Sequence, residues 1–241
     1  MGENYTYMLT FVDQHFYLLM LLTAVIVALV TSIWRRKKYD YKLVTGLVVT
    51  ALCAFYGLVG VRLLFILETP GSGFGLFGGY SFFGAIYFVP IAIFVTSLIM
   101  DKPFTEMLDF ITPYIPMTLA FMRFGCTYNG CCGANPIMTP AGEVVVPIQM
   151  TEAVFDLGIV AFTVLMEMRK QKQGIAFPRF AVMYGVLRLV TENYRDTPKD
   201  TYGMSHGQWF AIFSIVLGSI AVLILTLKDN HPVVARKCLR K

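Results

Sequence analysis

The chain has 241 residues, 56% of them hydrophobic and only 15% charged, and a formal charge of +5. Its mean hydropathy of +0.64 is too high for a water-soluble domain of this size, so the expected fold class is all-α and polytopic in a membrane. No Pro/Gly/Ser linker or low-complexity tract divides the sequence, and a single integral-membrane domain over residues 1–241 is expected.

The segment Met1 to Gln14 holds Glu3 and Asp13 but no Lys or Arg. It lacks the basic region of a cleaved signal, so the first apolar segment is expected to be retained. Met1-Gly2 through Thr6 fits a myristoylation pattern and Asn4-Tyr-Thr6 a glycosylation sequon, but patterns this short arise often by chance. Seven segments are long and apolar enough, or nearly so, to cross a bilayer that needs about 20 residues each. They run from His15 to Trp34, Leu43 to Leu67, Ser81 to Met100, Phe104 to Arg123, Met150 to Met168, Phe177 to Asn193, and Gln208 to Leu227. The fourth contains Glu106, Asp109, Pro113 and Pro116, so it should begin near an interface and be kinked.

Basic residues set the expected orientation. Arg35-Arg36-Lys37-Lys38 follows the first span, Lys102 joins the third to the fourth, and Arg169-Lys170-Gln-Lys172 follows the fifth. Lys228, Arg236-Lys237 and Arg240-Lys241 follow the seventh, whereas the alternate loops hold only Arg195 and Lys199. The positive-inside rule therefore places the N-terminus outside and the C-terminus in the cytoplasm, with an odd number of crossings.

Several spans carry charge, which is costly in lipid and usually functional. In the second span, Arg62 precedes Glu68 by two helical turns, and it could be a carboxylate's partner or a phosphate ligand. Gly71, Gly73, Gly75, Gly78, Gly79 and Gly84 make the approach to the third span mobile and permit close backbone contact, but in no P-loop or dinucleotide-binding context. The fourth span ends in Arg123-Phe-Gly-Cys-Thr-Tyr-Asn129-Gly-Cys-Cys-Gly133, where small and polar residues cannot continue an apolar helix. Such backbone needs protein or a cavity around it. A cation there suits the head group of an anionic lipid.

In the fifth span Gln149, Glu152 and Asp156 share one helix face, as a solvated helix start or as part of a site. In the sixth, Tyr184, Arg188 and Glu192 fall four apart with Arg195 three further on. A structural Arg188–Glu192 ion pair and a phosphate site both fit that stripe. Arginine's planar fork donates two parallel hydrogen bonds to phosphate, and a desolvated carboxylate can act as a base. Of the carboxylates, Glu152 has no basic residue within one turn and is the expected base. The cysteines Cys126, Cys131 and Cys132 lack the spacing and the fourth ligand of a metal site. They could form a disulfide, pack, or offer a thiol activated by Arg123. No metal, cofactor or nucleic-acid partner is expected.

These motifs, in this order, resemble those of the bacterial prolipoprotein diacylglyceryl transferase family. His15-Phe-Tyr17 is similar to its His-Trp-Tyr, Gly60-Val-Arg62 to its Gly-x-Arg, and Gly78-Gly-Tyr-Ser-Phe-Phe83-Gly84 to its Gly-Gly-x-Ser-Phe-His-Gly. Arg123-Phe-Gly-Cys-Thr-Tyr-Asn129-Gly130 resembles the signature Gly-Arg-x-Gly-Asn-Phe-x-Asn-Gly with its first glycine as Met122. Pro147-Ile-Gln149-Met-Thr-Glu152 resembles Pro-x-Gln-x-Tyr-Glu. Tyr184-Gly-Val-Leu-Arg188, with Glu192 and Arg195, matches Tyr-Gly-x-x-Arg-x-x-x-Glu-x-x-Arg. Ser205-His-Gly207-Gln208 matches Ser-x-Gly-Gln.

The resemblance implies a multi-pass protein of the bacterial plasma (inner) membrane that takes phosphatidylglycerol sideways from the bilayer. Arg123 and Arg188 would hold its phosphate, with Arg62, Gly130 and Arg195 nearby, while Tyr17, Asn129 and Tyr184 orient the lipid. The lipobox cysteine of a lipoprotein precursor would attack the glyceryl carbon, expelling glycerol phosphate and forming a thioether. Glu152 and Glu192 complete the implied site. The chain departs from the family where the histidine falls on Phe83, the signature asparagine on Cys126 and the Pro-x-Gln tyrosine on Thr151. The segment after Gly130 is one residue short. Three functions stay open at this level: a transferase, a non-catalytic phospholipid-binding relative, and a transporter or flippase using the charged cavity.

Overall fold

The computed structural model describes residues 2–69, 71, 80–130, 132–139, 142–169, 171–195, 197–199 and 202–227, with backbone alone at 2–15, 17, 137–139 and 143. The expected mobile glycine loop therefore lies mostly outside the described residues, as do Cys131, Lys170, the basic tail after the last helix and the Tyr17 side chain. The side chains of the two short N-terminal patterns lie outside them too.

The chain is helical almost throughout, as its apolar composition requires. The helices are α1 (Gly2–Arg35), α2 (Leu43–Glu68), α3 (Phe83–Met100), α4 (Phe104–Ile111), α5 (Tyr114–Asn129), α6 (Ile148–Met168), α7 (Ala176–Thr191) and α8 (His206–Leu227). A short antiparallel hairpin, β1 (Pro136–Thr139) with β2 (Gly142–Val145), separates α5 from α6 and pairs Pro136 with Val145. Nothing in the spacing of apolar residues pointed to that hairpin.

Five helices are long and apolar enough to cross a membrane: α1 from Leu18, α2, α3, α6 and α8. The other two of the seven expected spans are shorter elements, and the count of seven is not confirmed. The fourth segment breaks at Thr112-Pro113 into α4 and α5, because proline has no amide hydrogen and its ring crowds the preceding turn. The sixth is α7, of only 16 residues. Both are well buried, with Phe110, Ile111, Leu119, Ala120 and Phe180 all at 2% exposure or less, so their polar side chains face protein.

The loops with the excess of Lys and Arg meet at one end of the bundle. Arg35 at the end of α1 pairs with Glu167 at the end of α6 at 2.9 Å, and Lys38 also reaches Glu167. Tyr39 donates to the same carboxylate at 2.7 Å. Burial pushes the Tyr39 phenol above its usual range, so it remains a donor at any physiological pH. Lys172 donates to the Thr226 carbonyl at the end of α8, and Lys102 lies 5.3 Å from the Tyr41 ring centroid. Asp109 of α4 accepts from the Gly174 and Ala176 amides at 2.6 and 3.1 Å, capping the start of α7 from another helix. Arg35 also lies over Tyr114 and Phe110, closing this end with aromatic rings.

Toward the other end α2 and α3 touch backbone to backbone. A Cβ at Gly84 would lie 2.0 Å from the Gly60 carbonyl oxygen, so only glycine fits there. Ser81 caps this contact, its amide donating to the Val61 carbonyl and its hydroxyl to Glu68 at 2.9 Å. The Gly-x-Arg and Ser-Phe-Phe-Gly motifs thus meet in one close crossing.

Candidate functional site

Opposite the basic loops, three elements deliver arginines to one carboxylate. The end of α5 supplies Arg123, the last turn of α7 supplies Arg188, and the extended stretch after α7 supplies Arg195. Arg195 is fixed there by a bridge to Ala134, and the neighbouring Asn135 amide donates to the Tyr194 carbonyl at 2.9 Å. All three converge on Glu152, in the second turn of α6.

Glu152 Oε2 lies 2.7 Å from Arg123 Nε and 2.9 Å from Arg195 Nη2. Its Oε1 accepts from Arg188 Nη1 at 2.9 Å and from the Thr191 hydroxyl at 2.7 Å. At 2% exposure Glu152 is buried, and Arg123 and Arg195 are 9% and 6% exposed. The expectation that Glu152 is free of basic neighbours holds along α6 but not in space. It is the hub of the cluster.

Arg188 turns its second nitrogen, Nη2, to Glu192 Oε2 at 2.8 Å. The sequence placed Glu192 on a continuous helical stripe. The helix instead ends at Thr191, and Glu192 opens a 3₁₀ turn reaching Tyr194. Its Oε1 accepts from the Ser205 hydroxyl at 3.0 Å. A Cβ at Gly207 would sit 2.8 Å from that same oxygen. Gln208 completes the corner, accepting from the Ser205 amide and donating to Asn193 at 3.1 Å. The Ser205-His-Gly207-Gln208 motif is thus a seat for the Glu192 carboxylate.

Tyr184 and Asp156 lie one turn deeper. Tyr184 is 2% exposed, and its ring packs on Phe82, Phe83 and Phe180 with centroids 5.1, 5.6 and 6.0 Å away. Phe83, at 3% exposure, also touches Tyr87 and Phe210, so an aromatic cluster occupies the position where the resemblance puts a histidine. Asp156 is 1% exposed, and neither of its oxygens has a hydrogen-bond partner among the described residues.

The other expected site residues lie around this cluster. Arg62 is half-buried in α2 with its guanidinium 5.4 Å from the Phe65 ring centroid, and no described ion pair joins it to Glu152 or Asp156. Asn129 is the exposed last residue of α5, and Gly130 ends that helix in the left-handed region at φ +66°. Tyr128 stacks on Phe16 of α1 at 4.2 Å, bringing the His15-Phe-Tyr17 segment to the site. Cys126 is buried and Cys132 exposed.

An apolar cavity of about 400 Å³ runs between α1, α2, α3 and α5, lined in part by Leu21, Val25, Ala54, Val61, Phe82 and Met122. Met122 precedes Arg123 and Phe82 packs on Tyr184, so the cavity ends beside the arginine cluster. Leu18, Leu22 and Phe55 line it too, and each remains 46% or more exposed on the outer face of the bundle. A lipid-accessible apolar space thus ends at the residue before Arg123, close to a cluster of three guanidiniums, a combination that suits an anionic amphiphile.

Comparison with known proteins gives the same direction. The family model for prolipoprotein diacylglyceryl transferase matches residues 6–224. A phosphatidylglycerol–prolipoprotein diacylglyceryl transferase of Clostridium tetani is 26% identical over 182 residues, covering 67% of this chain and 73% of the relative. The second such enzyme of Clostridium perfringens is 26% identical over 202 residues, covering 75% and 79%. One from Idiomarina loihiensis reaches 30% over 169 residues, covering 64% and 62%.

Proposed function

Since this chain belongs to the prolipoprotein diacylglyceryl transferase family, we propose that it moves the diacylglyceryl group of phosphatidylglycerol onto the lipobox cysteine of a prolipoprotein, in the plasma membrane of a bacterium. The observation that carries this reading is the buried cluster of Arg123, Arg188 and Arg195 on Glu152, close to one end of the apolar cavity.

Three guanidiniums gathered on one carboxylate offer several N–H donors, and a phosphodiester is an anion that such planar donors suit. In this reading Arg123 and Arg188 contact the phosphate and stabilise it as it leaves, a purely electrostatic contribution. Glu152 and Glu192 hold the guanidiniums in place beforehand. The cavity takes an acyl chain, entering between α1 and α2 where its lining is exposed. Asn129 and Gly130 at the end of α5 serve the head group in this reading, together with Tyr17 and Arg62. The relatives' names give a prolipoprotein as the acceptor, and a cysteine thiol is the side chain on it that is nucleophilic enough to displace a phosphate ester at carbon.

A second reading has its own observation. Phe83 fills the place of the family's histidine with an aromatic ring packed on Tyr184, which would suit a relative that binds lipid without turning it over. Protein purified in phosphatidylglycerol-containing micelles and mixed with a lipobox peptide separates the two. The transferase reading requires a thioether-linked peptide of higher mass and released glycerol phosphate. Tight phosphatidylglycerol binding with an unmodified peptide selects the second reading.

A further inference from the structure

Of the carboxylates in the buried cluster, two are fully occupied. Both oxygens of Glu152 are taken by three guanidiniums and the Thr191 hydroxyl. Those of Glu192 are taken by Arg188 and Ser205. Asp156 is the exception: it lies one helical turn from Glu152 on the same face of α6, 1% exposed, with neither oxygen hydrogen-bonded among the described residues. A buried carboxylate left without partners costs several kcal/mol in general and calls for an explanation. It is close enough to Arg123, Glu152, Arg188 and Tyr184 to feel their charges. The Tyr184 hydroxyl is likewise buried without a hydrogen-bond partner among the described residues. Two orphaned polar groups thus lie buried within the arginine cluster, one turn below Glu152 and Arg188.

We propose that Asp156 is the catalytic residue that takes the proton from the acceptor thiol. This rests on the transferase reading above. The S–H proton passes to an Asp156 carboxylate oxygen, and the sulfur attacks the glyceryl carbon. The carbon–oxygen bond to phosphate breaks, the C–S bond forms, and glycerol phosphate departs as an anion against Arg123 and Arg188. The proton then leaves Asp156 for solvent. Every bond made is matched by one broken, and no further reactant is needed.

The charged and titratable groups near enough to Asp156 to act on it are Arg123 from α5, Tyr184 and Arg188 from α7, and Glu152 on its own helix. At the rim, the competing acceptors are Glu68, whose carboxylate accepts from Ser81, and the exposed His206. The test compares transfer to a lipobox peptide in Asp156→Asn, Glu68→Gln and His206→Gln proteins across pH, with phosphatidylglycerol binding measured alongside. Loss of a positioned base lowers the rate by about 10²–10⁴-fold. D156N should show that loss with lipid affinity unchanged, and its rate should climb roughly tenfold per pH unit toward the thiol pKa of about 8.5, where the acceptor ionises unaided. A purely structural role for Asp156 would not be rescued by raising the pH.

Asp156→Glu, which keeps the carboxylate, should retain the parent's pH profile, and this decides the matter if D156N does not assemble. D156N activity within threefold of the parent, with the parent's profile, overturns the proposal. So does a large loss confined to E68Q or H206Q, or a D156E rate that climbs with pH as expected for D156N. If the parent protein itself transfers nothing from phosphatidylglycerol, the transferase reading fails and takes this proposal with it. A parent that transfers beside an unaffected D156N condemns Asp156 alone.

Discussion

Glu152 bears more interactions than any other side chain described around the site, and its contacts explain why it is poorly suited to accept a proton. A carboxylate pinned by three guanidiniums and a hydroxyl has no unoccupied oxygen directed at a substrate. Glu152→Gln should therefore act first on structure. Removing one partner from a buried ionic network costs about 3–5 kcal/mol because the remaining charges are left unpaired. We expect a thermal-unfolding midpoint well below the parent's and weakened phosphatidylglycerol binding, both measurable in detergent. A variant as stable as the parent that has lost transfer alone would return Glu152 to the role of base.

Gly207 offers a second residue-scale test. Its absent Cβ leaves room for Glu192 Oε1 at 2.8 Å, so Gly207→Ala should displace that carboxylate and lower activity. Pairing it with Glu192→Asp, which withdraws the carboxylate by one methylene, should recover part of the loss. Strictly additive effects in that double-mutant cycle would show that the two positions are uncoupled.

At the level of elements, two contacts organise the bundle around the site. The α2–α3 crossing at Gly60 and Gly84 brings Val61 and Phe82 of the cavity lining together, and it tolerates no side chain. Gly84→Leu should prevent the helices from closing and abolish recovery of monodisperse protein, whereas the same change at Gly158, where a Cβ would meet nothing within 4 Å, should be accepted. Equal behaviour of the two variants in size-exclusion chromatography would contradict the close-contact account. The stripe of Tyr184 and Arg188 on α7 could be read from the sequence because both sit on one helix with a 3.6-residue period. The clamp on Glu152 could not. Its partners stand 29 to 43 residues away on three different elements, and helical periodicity carries no information across that distance. The break before α5 was legible through Pro113, but the short 3₁₀ turn at Glu192 had no comparable signal. The hairpin escaped notice because Pro136–Thr139 and Gly142–Val145 are too brief for an alternating pattern to stand out.

Across the whole molecule, charge is divided between two ends with different purposes. At one, Arg35, Lys38 and Tyr39 gather on Glu167 and tie α1 to α6, with the remaining basic loops alongside. At the other, arginines gather on Glu152 beside a lipid-accessible cavity. The positive-inside rule puts the first end in the cytoplasm and hence the second on the outer side. Labelling single cysteines introduced at Lys37 and Val145, in a protein whose native cysteines are replaced by serine, with a membrane-impermeant reagent should modify only the latter in intact cells; the reverse pattern would invert the orientation. Apolar composition and the distribution of Lys and Arg were enough to read the membrane class and this polarity. The fourth and sixth expected spans correspond to the shorter elements α4, α5 and α7, which are well buried in the bundle.

The claim on which everything else depends is that phosphatidylglycerol is cleaved by the same event that modifies the thiol. It is tested most directly by counting both products in one sample, using phosphatidylglycerol labelled in its head group and in its acyl chains. The account predicts one glycerol phosphate released for each diacylglyceryl thioether formed on the lipobox peptide, and neither product without the peptide. Thioether formation without glycerol phosphate release, or steady release in the absence of any thiol, would contradict it.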